Sequence, residues 1–445
     1  MTLTKSLYLS FLQCPLLFYL SSHKQLPSST LSDQHKQDQG YAFEEQVKKL
    51  YPADCFQQTF QTDDLMVRAD LLVDNDLYEI KSTTSVKPHH IPDLAFQKHV
   101  IEKTGKKINK CFIIHLNKEY IKQGEIEPEK LIRIEEVTEK VNLIDNIEEN
   151  IKLIQKITTK PKPNISKGCN KPYICPLKKD CWSTLPENNV LTLTNWRLYW
   201  KLLEEGIEDI SNIPNETKLN IKDNIIVNSI KENKPHIDKE NIKEFLNKLT
   251  YPLYHFDFET FDTAVPLFNK SRPYQKIPFQ YSLHIEQDNG KTEHKEFLSL
   301  GNDPRPDLLK QMKHDLQTKG DIVVYNKSFE ISVMKKLIID FPEEKEWLSE
   351  AIERVVDLAD VFRPFYYYNK SQKGSYSIKK ILPAVTGKDY SHLEISNGAE
   401  ASIKYFYTYI EPKLKEDIKE DLLKYCKLDT EGMVWIMGEL RKICK

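Results

Sequence analysis

Charge of one sign, long apolar runs and glycine are all in short supply in this 445-residue chain. The 64 Lys and Arg nearly cancel the 66 Asp and Glu, leaving a formal net charge of −2. A global electrostatic pull on nucleic acid is thereby excluded, and any phosphate-binding surface has to be local. Only the opening segment, Leu7-Tyr8-Leu9 to Leu16–Leu20, has the look of a signal-peptide core. Gln13 and Cys14-Pro15 interrupt it, a single Lys5 precedes it, and no small-x-small cleavage site follows. A buried amphipathic helix is expected there instead. No other stretch approaches the roughly 20 apolar residues that cross a bilayer, so no membrane partner is expected. With 13 Gly, 23 Pro, 40% hydrophobic and 29% charged residues, the composition excludes fibrous and disordered classes and describes a globular protein. Eight cysteines in a chain of this length do not make a disulfide scaffold, which points to a reducing, cytoplasmic setting.

What is present suffices for two or three cores. The chain reads as α/β in three parts: residues 1–186, a helical bridge over 187–250, and residues 251–445. Residues 1–50 are expected to be helical, with the polar stretch Pro27–Gln39 as a loop between two helices. Leu65–Lys81 has a hairpin pattern around an Asn75-Asp76 turn signal. Ile91–Thr104 has helical spacing and Cys111–Leu116 is a short apolar strand, and this strand, strand, helix, strand order belongs to an α/β core. Val141–Thr159 reads as one helix ended by Pro161-Lys162-Pro163. The bridge lacks strand patterns and reads as short helices, such as Trp196–Glu205 closed by Gly206. A second α/β pattern follows, with strands at Leu253–Phe258, Ile277–Ile285 and Ile322–Tyr325 and helices at Ser332–Asp340, Ser375–Leu382 and Leu414–Gly438. Two lysine-rich stretches, Lys103 to Lys110 and Lys152 to Lys167, are either local phosphate-binding surfaces or solvated faces.

Three residue groups carry chemistry. In a strand, residues two apart share a side, so Glu79 and Lys81 emerge together while Ile80 packs inward. Asp70 lies on the partner strand of the hairpin and can join Glu79 around one Mg²⁺ or Mn²⁺, whose hard charge prefers oxygen ligands. Lys81 would then steady the attacking water or the developing oxyanion. The second group is Cys169, Cys175 and Cys181, three thiols within thirteen residues, with Cys14 as a distant fourth. Soft thiolates select iron–sulfur clusters or Zn²⁺, and the five-residue gaps fit the usual zinc spacing poorly. Cys55, Cys111, Cys426 and Cys444 read as ordinary thiols. The third group pairs Asp257 and Glu259, two apart on a strand, with Tyr425 and Asp429, four apart on a helix. Glu330 opens the helix after the Ile322–Tyr325 strand. Carboxylates so arranged can hold two Mg²⁺, and Tyr425 can orient a water.

From Leu12-Gln13-Cys14-Pro15, Gly40 to Glu44, Asp70, Glu79-Ile80-Lys81 and Gln97, residues 5–185 resemble the PD-(D/E)XK nucleases of restriction-endonuclease-like fold, in the RecB-type and CRISPR-associated exonuclease branch that carries an iron–sulfur cluster. The resemblance implies Glu44 as a further metal ligand, Gln97 in contact with substrate or coordinated water, and a [4Fe–4S] cluster on Cys14, Cys169, Cys175 and Cys181, with Zn²⁺ as the alternative. Two features depart from that pattern: Ile101 stands where an aromatic residue often follows Gln97, and the usual Cys-x-x-Cys pair is relaxed. Residues 251–443 resemble the DEDD exonucleases of RNase H-like fold with mixed sheet, in the variant with tyrosine in the last motif. Glu330 stands where that superfamily has Asp, which implies a slower site. The whole arrangement, including Lys171-Pro172-Tyr173-x-Cys175-Pro176 and Leu249–Tyr254 running into Asp257, is similar to a family of uncharacterised bacterial two-domain proteins. The expectation is an Mg²⁺- or Mn²⁺-dependent nuclease, an exonuclease acting on DNA rather than RNA. The alternative is a nucleic-acid-binding or assembly protein with one or both nuclease folds inactive. Protein partners are not legible in the sequence.

Overall fold

Apolar residues alternate with polar ones along Leu65-Met66-Val67-Arg68-Ala69-Asp70, and the alternation becomes a half-buried strand with Leu65, Val67 and Ala69 facing the core. This computed structural model describes residues 1–445 apart from the side chain at position 415. The chain falls into two units, Met1–Thr184 with Thr263–Gln275, and Leu185–Asp262 with Lys276–Lys445. The segment read as a helical bridge is counted with the second unit.

The first unit is built on one mixed sheet of β1 (Leu3–Thr4), β2 (Phe56–Gln61), β3 (Leu65–Val73), β4 (Asp76–Lys81), β5 (Cys111–Leu116) and β6 (Ile132–Glu136). Its order is β1-β3-β4-β5-β6, with β2 antiparallel to β3. The expected hairpin is β3–β4, turning through Asp74 and Asn75 at φ 49° and 68°, left-handed conformations that short polar side chains tolerate. Between the parallel strands β4 and β5 runs the helix His90–Lys103. It buries Leu94, Phe96, Val100 and Ile101 in one cluster with Val67, Leu72, Leu77 and Ile113. A second cluster gathers Phe43, Val47, Leu71, Ile114 and Leu131, and Ala264 of the 263–275 excursion joins it.

Two expectations are corrected here. Pro27–Gln39 is not a loop throughout: a capping box of Thr30 and Asp33 starts the helix Leu31–Lys48, and its polar residues are an exposed helix face. Val141–Thr159 is not one helix but the ends of two, Thr138–Asn142 and Ile147–Gln155. The opening segment forms two helices, Lys5–Gln13 and Pro15–Ser22, broken at the extended Cys14, with Pro15 in the first turn of the second. No helix among the described residues is long and apolar enough to cross a membrane.

The second unit has a two-stranded ribbon of β7 (His236–Ile237) with β13 (Tyr367–Tyr368). Its main sheet comprises β8 (Leu253–Phe261), β9 (Ile277–Glu286), β10 (Thr292–Leu298), β11 (Ile322–Val324) and β12 (Val355–Asp357). The order is β10-β9-β8-β11-β12, antiparallel as far as β8 and parallel beyond it. Every residue of β9 is buried, as a strand covered on both faces requires. A cluster of Leu308, Met312, Val333, Met334, Leu337 and Leu348 from three helices packs with Phe256, Leu283 and Val324 of the sheet. The helix Lys415–Cys444 runs along β8 and β9, and Tyr405 of the helix Gly398–Ile410 stacks on Phe279 at 3.7 Å between ring centroids. Sequence reasoning overlooked β10, a polar edge strand with no apolar alternation, and the helix Arg305–Leu316, whose Pro306 reads as a breaker yet sits in the first turn where proline is tolerated.

Candidate functional site

β4 ends in Glu79-Ile80-Lys81, and the strand period sends Ile80 to the apolar cluster and the other two to the opposite face. Glu79 is only 1% exposed, so its charge must be met by protein groups. Lys81 Nζ donates to Glu79 Oε1 at 2.6 Å and to Asp93 Oδ2 at 2.7 Å. Lys5 Nζ, from the first helix, donates to both Glu79 oxygens at 2.9 and 3.3 Å and stands 3.5 Å from Asp93 Oδ1. Gln97 Nε2 donates to Glu79 Oε2 at 2.5 Å and to Asp93 Oδ1 at 3.0 Å. Asp70 enters from β3, where its Oδ2 accepts the Ile80 N–H at 3.1 Å.

Asp70, Glu79, Lys81 and Gln97 therefore meet, as the sequence led one to expect. Lys5 and Asp93 join them unannounced. Asp93 was findable, four residues before Gln97 and thus on the same helix face; Lys5 comes from 74 positions away and has no local signal. Glu44 stands elsewhere, accepting from Gln57 Nε2 at 3.2 Å and pairing with Lys48 at 3.2 Å. Ile101 is fully buried in the core.

Burial opposes the charge on Glu79, but Lys81 and Lys5 outweigh it and hold its pKa below the usual carboxylate range. Burial likewise opposes the charge on Lys81, yet Glu79 and Asp93 hold it well above the ordinary lysine value. Asp70 is pushed up to about 7 by burial and by the neighbouring Glu79 charge. Three carboxylates thus face two ammonium groups, and the Lys5 ammonium bridges Glu79 and Asp93 in the way a cation would. Hard oxygen donors are the type that Mg²⁺ or Mn²⁺ takes, and in this structure Lys5 and Lys81 occupy them. A cleft of about 480 Å³, lined by Lys5, Lys81, His89, His90, Asp93 and Tyr173 among others, opens beside the cluster.

The four cysteines converge as well. Cys14 caps the helix Pro15–Ser22, Cys169 ends a short turn, the Cys175 N–H donates to the Cys169 carbonyl at 3.0 Å, and Cys181 lies in the helix Lys178–Trp182. Burial raises the Cys175 thiol, and the adjacent Cys14, Cys169 and Cys181 raise it further. Gln13 Nε2 ties the two chain segments by donating to the carbonyls of Gly168 at 2.9 Å and Tyr173 at 2.7 Å. Cys175, Leu16, Leu17, Leu20 and Leu177 form a small apolar cluster around the thiols.

In the second unit β8 occupies the centre of the sheet and carries Asp257 and Glu259 on one side. An oxygen of Asp257, an oxygen of Glu259 and Cys426 Sγ all lie within 4.8 Å of one another. Asp429 Oδ1 accepts a hydrogen bond from Tyr390 at 2.6 Å. Glu330 sits in the first turn of the helix Lys327–Asp340, is 1% exposed, and has an Oε2 with no hydrogen-bond partner. Asp357, at the end of β12, fixes the start of that helix by accepting from the N–H groups of Asn326 at 2.9 Å and Lys327 at 3.2 Å. Lys379 Nζ lies 5.3 Å from the Tyr425 ring centroid and 5.6 Å from that of Tyr390.

Burial and the adjoining Asp429 raise both Asp257 and Glu259 well above the ordinary range. Burial lifts Asp429 to about 6 and Glu330 to about 8. The expected Asp257, Glu259, Glu330, Tyr425 and Asp429 are thus gathered in one acidic cluster. Tyr390, Lys379 and Cys426 belong to it too. Tyr390 follows a loop without pattern, and Cys426, read as an ordinary thiol, is placed against the Asp257 strand by the helix turn it shares with Tyr425.

These raised values fix a pH dependence. Between the unfolded carboxyl pKa of about 4 and the folded values of about 6 and 8 for Asp429 and Glu330, the folded state holds protons that the unfolded chain has lost. Stability from these groups therefore falls as pH rises through that window. A divalent ion that neutralises the acids reverses the loss, so the gain in Tm on adding Mn²⁺ to chelator-treated protein is expected to be larger at about pH 8 than at about pH 5.5. Scanning fluorimetry at the two pH values checks this, and an equal gain at both contradicts it.

Residues 254–377 match a family model described as a domain of unknown function, DUF2779. The matched span takes in Asp257, Glu259 and Glu330 and ends before Tyr425 and Asp429. An uncharacterized protein of Ureaplasma parvum serovar 3 is 26% identical over 265 residues, covering 54% of this chain and 37% of its own. An uncharacterized protein of Mycoplasma genitalium is 26% identical over 228 residues, 46% of this chain and 34% of its own. A homolog of the latter in Mycoplasma pneumoniae is 26% identical over 219 residues, 44% and 33% respectively. The chain spans about a third of the length of these curated relatives. No solved structure matches it.

Proposed function

We propose that the chain is a metal-dependent nuclease that hydrolyses phosphodiester bonds, with DNA as the foremost substrate. The first unit is read as a RecB-type PD-(D/E)XK nuclease and the second as a DEDD exonuclease of RNase H-like fold. The observation that carries this reading is the meeting of Asp70, Glu79, Lys81 and Gln97, from two strands and a helix, in one buried cluster. The mixed sheet with two acids on its central strand supports the second assignment.

Asp70 and Glu79, with Asp93 beside them, would hold Mg²⁺ or Mn²⁺ in the first site, and Asp257, Glu259, Glu330 and Asp429 in the second. When bound, such an ion supplies a nucleophile at neutral pH and neutralises charge on the phosphate. Lys81 then presents its ammonium to the attacking water or the developing oxyanion, and Gln97 keeps Glu79 in one orientation. In the second site Tyr390 holds Asp429 through its hydrogen bond, Lys379 offers positive charge to a phosphate, and Tyr425 orients the water. The extra methylene of Glu330 shifts a carboxylate where small misplacements cost on the order of 10²-fold in rate, so the second site is read as the slower one.

Cys14, Cys169, Cys175 and Cys181 would hold a [4Fe–4S] cluster. The convergence of four soft thiols supports this reading, with Zn²⁺ as the alternative.

One observation favours the second reading, a binding or assembly protein: Glu79 already receives two ammonium groups and an amide. Incubating the purified protein, with its cysteine site filled, with end-labelled DNA and RNA in Mg²⁺ or Mn²⁺ separates the two. The nuclease reading expects shortened DNA. Intact label with both ions supports the binding reading.

A further inference from the structure

Cys426 occupies a place that the nuclease reading does not use. It follows Tyr425 on the helix that runs along β8, is fully buried, and its Sγ lies 3.9 Å from the Asp257 carbonyl oxygen. More telling is its relation to the side chains: Sγ stands within 4.8 Å of a carboxylate oxygen of Asp257 and of one from Glu259, and those two oxygens are as close to each other. One central ion can reach all three atoms at such spacings. An independent feature points the same way. Glu330, whose charge is felt at both Asp257 and Glu259, keeps an Oε2 in the protein interior with no hydrogen-bond donor. An unmet buried carboxylate oxygen beside Asp257 and Glu259 is open to a cation.

We propose that Cys426 Sγ is a metal donor alongside Asp257 and Glu259, which makes this a site for a borderline-soft divalent ion such as Co²⁺ or Zn²⁺ in preference to Mg²⁺. The inference rests on the reading of these acids as a metal site and adds the identity of the third donor and of the ion. An all-oxygen site suits Mg²⁺, and a single thiolate among the oxygens moves the preference along the first-row series. Binding converts Cys–SH and M²⁺ into a Cys–S–M bond and one proton released to solvent, so charge balances without an oxidant or reductant.

The test uses the full chain with its four-cysteine site filled as purified, after loosely held metal is removed with a chelator. Co²⁺ is titrated in, and the sulfur-to-cobalt charge-transfer band is read as a difference spectrum. The band is expected in the wild type and absent in Cys426→Ser and in Asp257→Asn, with Co²⁺ affinity lowered about tenfold or more in Cys426→Ser and Mg²⁺ affinity changed about twofold at most. Cadmium NMR of the wild type reads sulfur ligation from the chemical shift and needs no variant at position 426, so poor folding of Cys426→Ser does not block the test. Co²⁺ binding that depends on Asp257 but shows neither a thiolate band nor a sulfur-shifted cadmium signal overturns the role of Cys426 and leaves the acids as a metal site. Absence of any Asp257-dependent ion binding overturns both.

Discussion

On the proposed cluster reading, replacing Cys175 with serine is expected to abolish iron binding and to unfold the first unit, the largest stability effect in the chain. Cys14 lies between two short helices at the start, and its partners lie beyond the six strands of the first sheet, so the knot closes a loop of about 155 residues from Cys14 to Cys169. Closing so long a loop costs substantial chain entropy. The apolar cluster around the thiols has only Leu16, Leu17, Leu20, Cys175 and Leu177 as buried members, a small core for the segment that carries Cys169 to Cys181. Binding of the proposed cluster would then be folding free energy. Calorimetry of Cys175→Ser should lose the transition of the first unit, and iron and acid-labile sulfide should fall to background. Cys444→Ser, at a partly exposed thiol that donates to the Lys239 carbonyl, should match the wild type in both. Unchanged iron and melting in Cys175→Ser would remove the cluster from the account.

The second large effect is expected from Glu79→Gln: loss of cleavage at the first site by on the order of 10³-fold or more, with the unit still folded. The amide keeps the shape of the carboxylate but removes the charge that a divalent ion needs. Its structural cost is moderate because of the local charge count. Asp70, Glu79 and Asp93 face Lys5 and Lys81, so removing one negative charge leaves two acids for two ammonium groups, and both lysines retain Asp93 as a partner. Asp70, held at about 7 by burial and by Glu79, should then titrate nearer the ordinary range. Glu79→Ala removes shape and charge together and is the poorer variant, because it leaves the Gln97 amide without its closest acceptor. Single-turnover cleavage with a melting curve for each variant distinguishes lost chemistry from lost fold. Activity within a few-fold of wild type in folded Glu79→Gln would contradict the role of the cluster.

The parts of these sites that were legible in the sequence are those written in local periodicity. The period-2 run through β3 and the Glu79-Ile80-Lys81 strand end put Asp70 on the strand beside Glu79, but the turn signal at Asn75-Asp76 is one residue late: the structure turns at Asp74-Asn75 and so sets Leu71 against Tyr78, because register in a hairpin is set by its turn. Asp257 with Glu259, and Tyr425 with Asp429, were legible for the same reason, each pair sharing one face of one element. The cysteines stood out by type and spacing. The remaining residues are tertiary. Lys5 reaches Glu79 from the start of the chain, Tyr390 reaches Asp429 from a loop, and Lys379 comes from a helix read only for its apolar stripe. Nothing in the neighbourhood of such residues in sequence reveals the partner. Glu44 shows the converse: a helical position carried over by resemblance alone, which the structure pairs with Gln57 and Lys48.

The central claim is that acidic side chains form two separate cradles for divalent ions, and Mn²⁺ binding followed by electron paramagnetic resonance tests it most directly. Wild-type protein should show ion binding at both places, with Glu79→Gln removing one class of bound Mn²⁺ and Asp257→Asn removing the other. Identical binding curves for the wild type and both variants would contradict it.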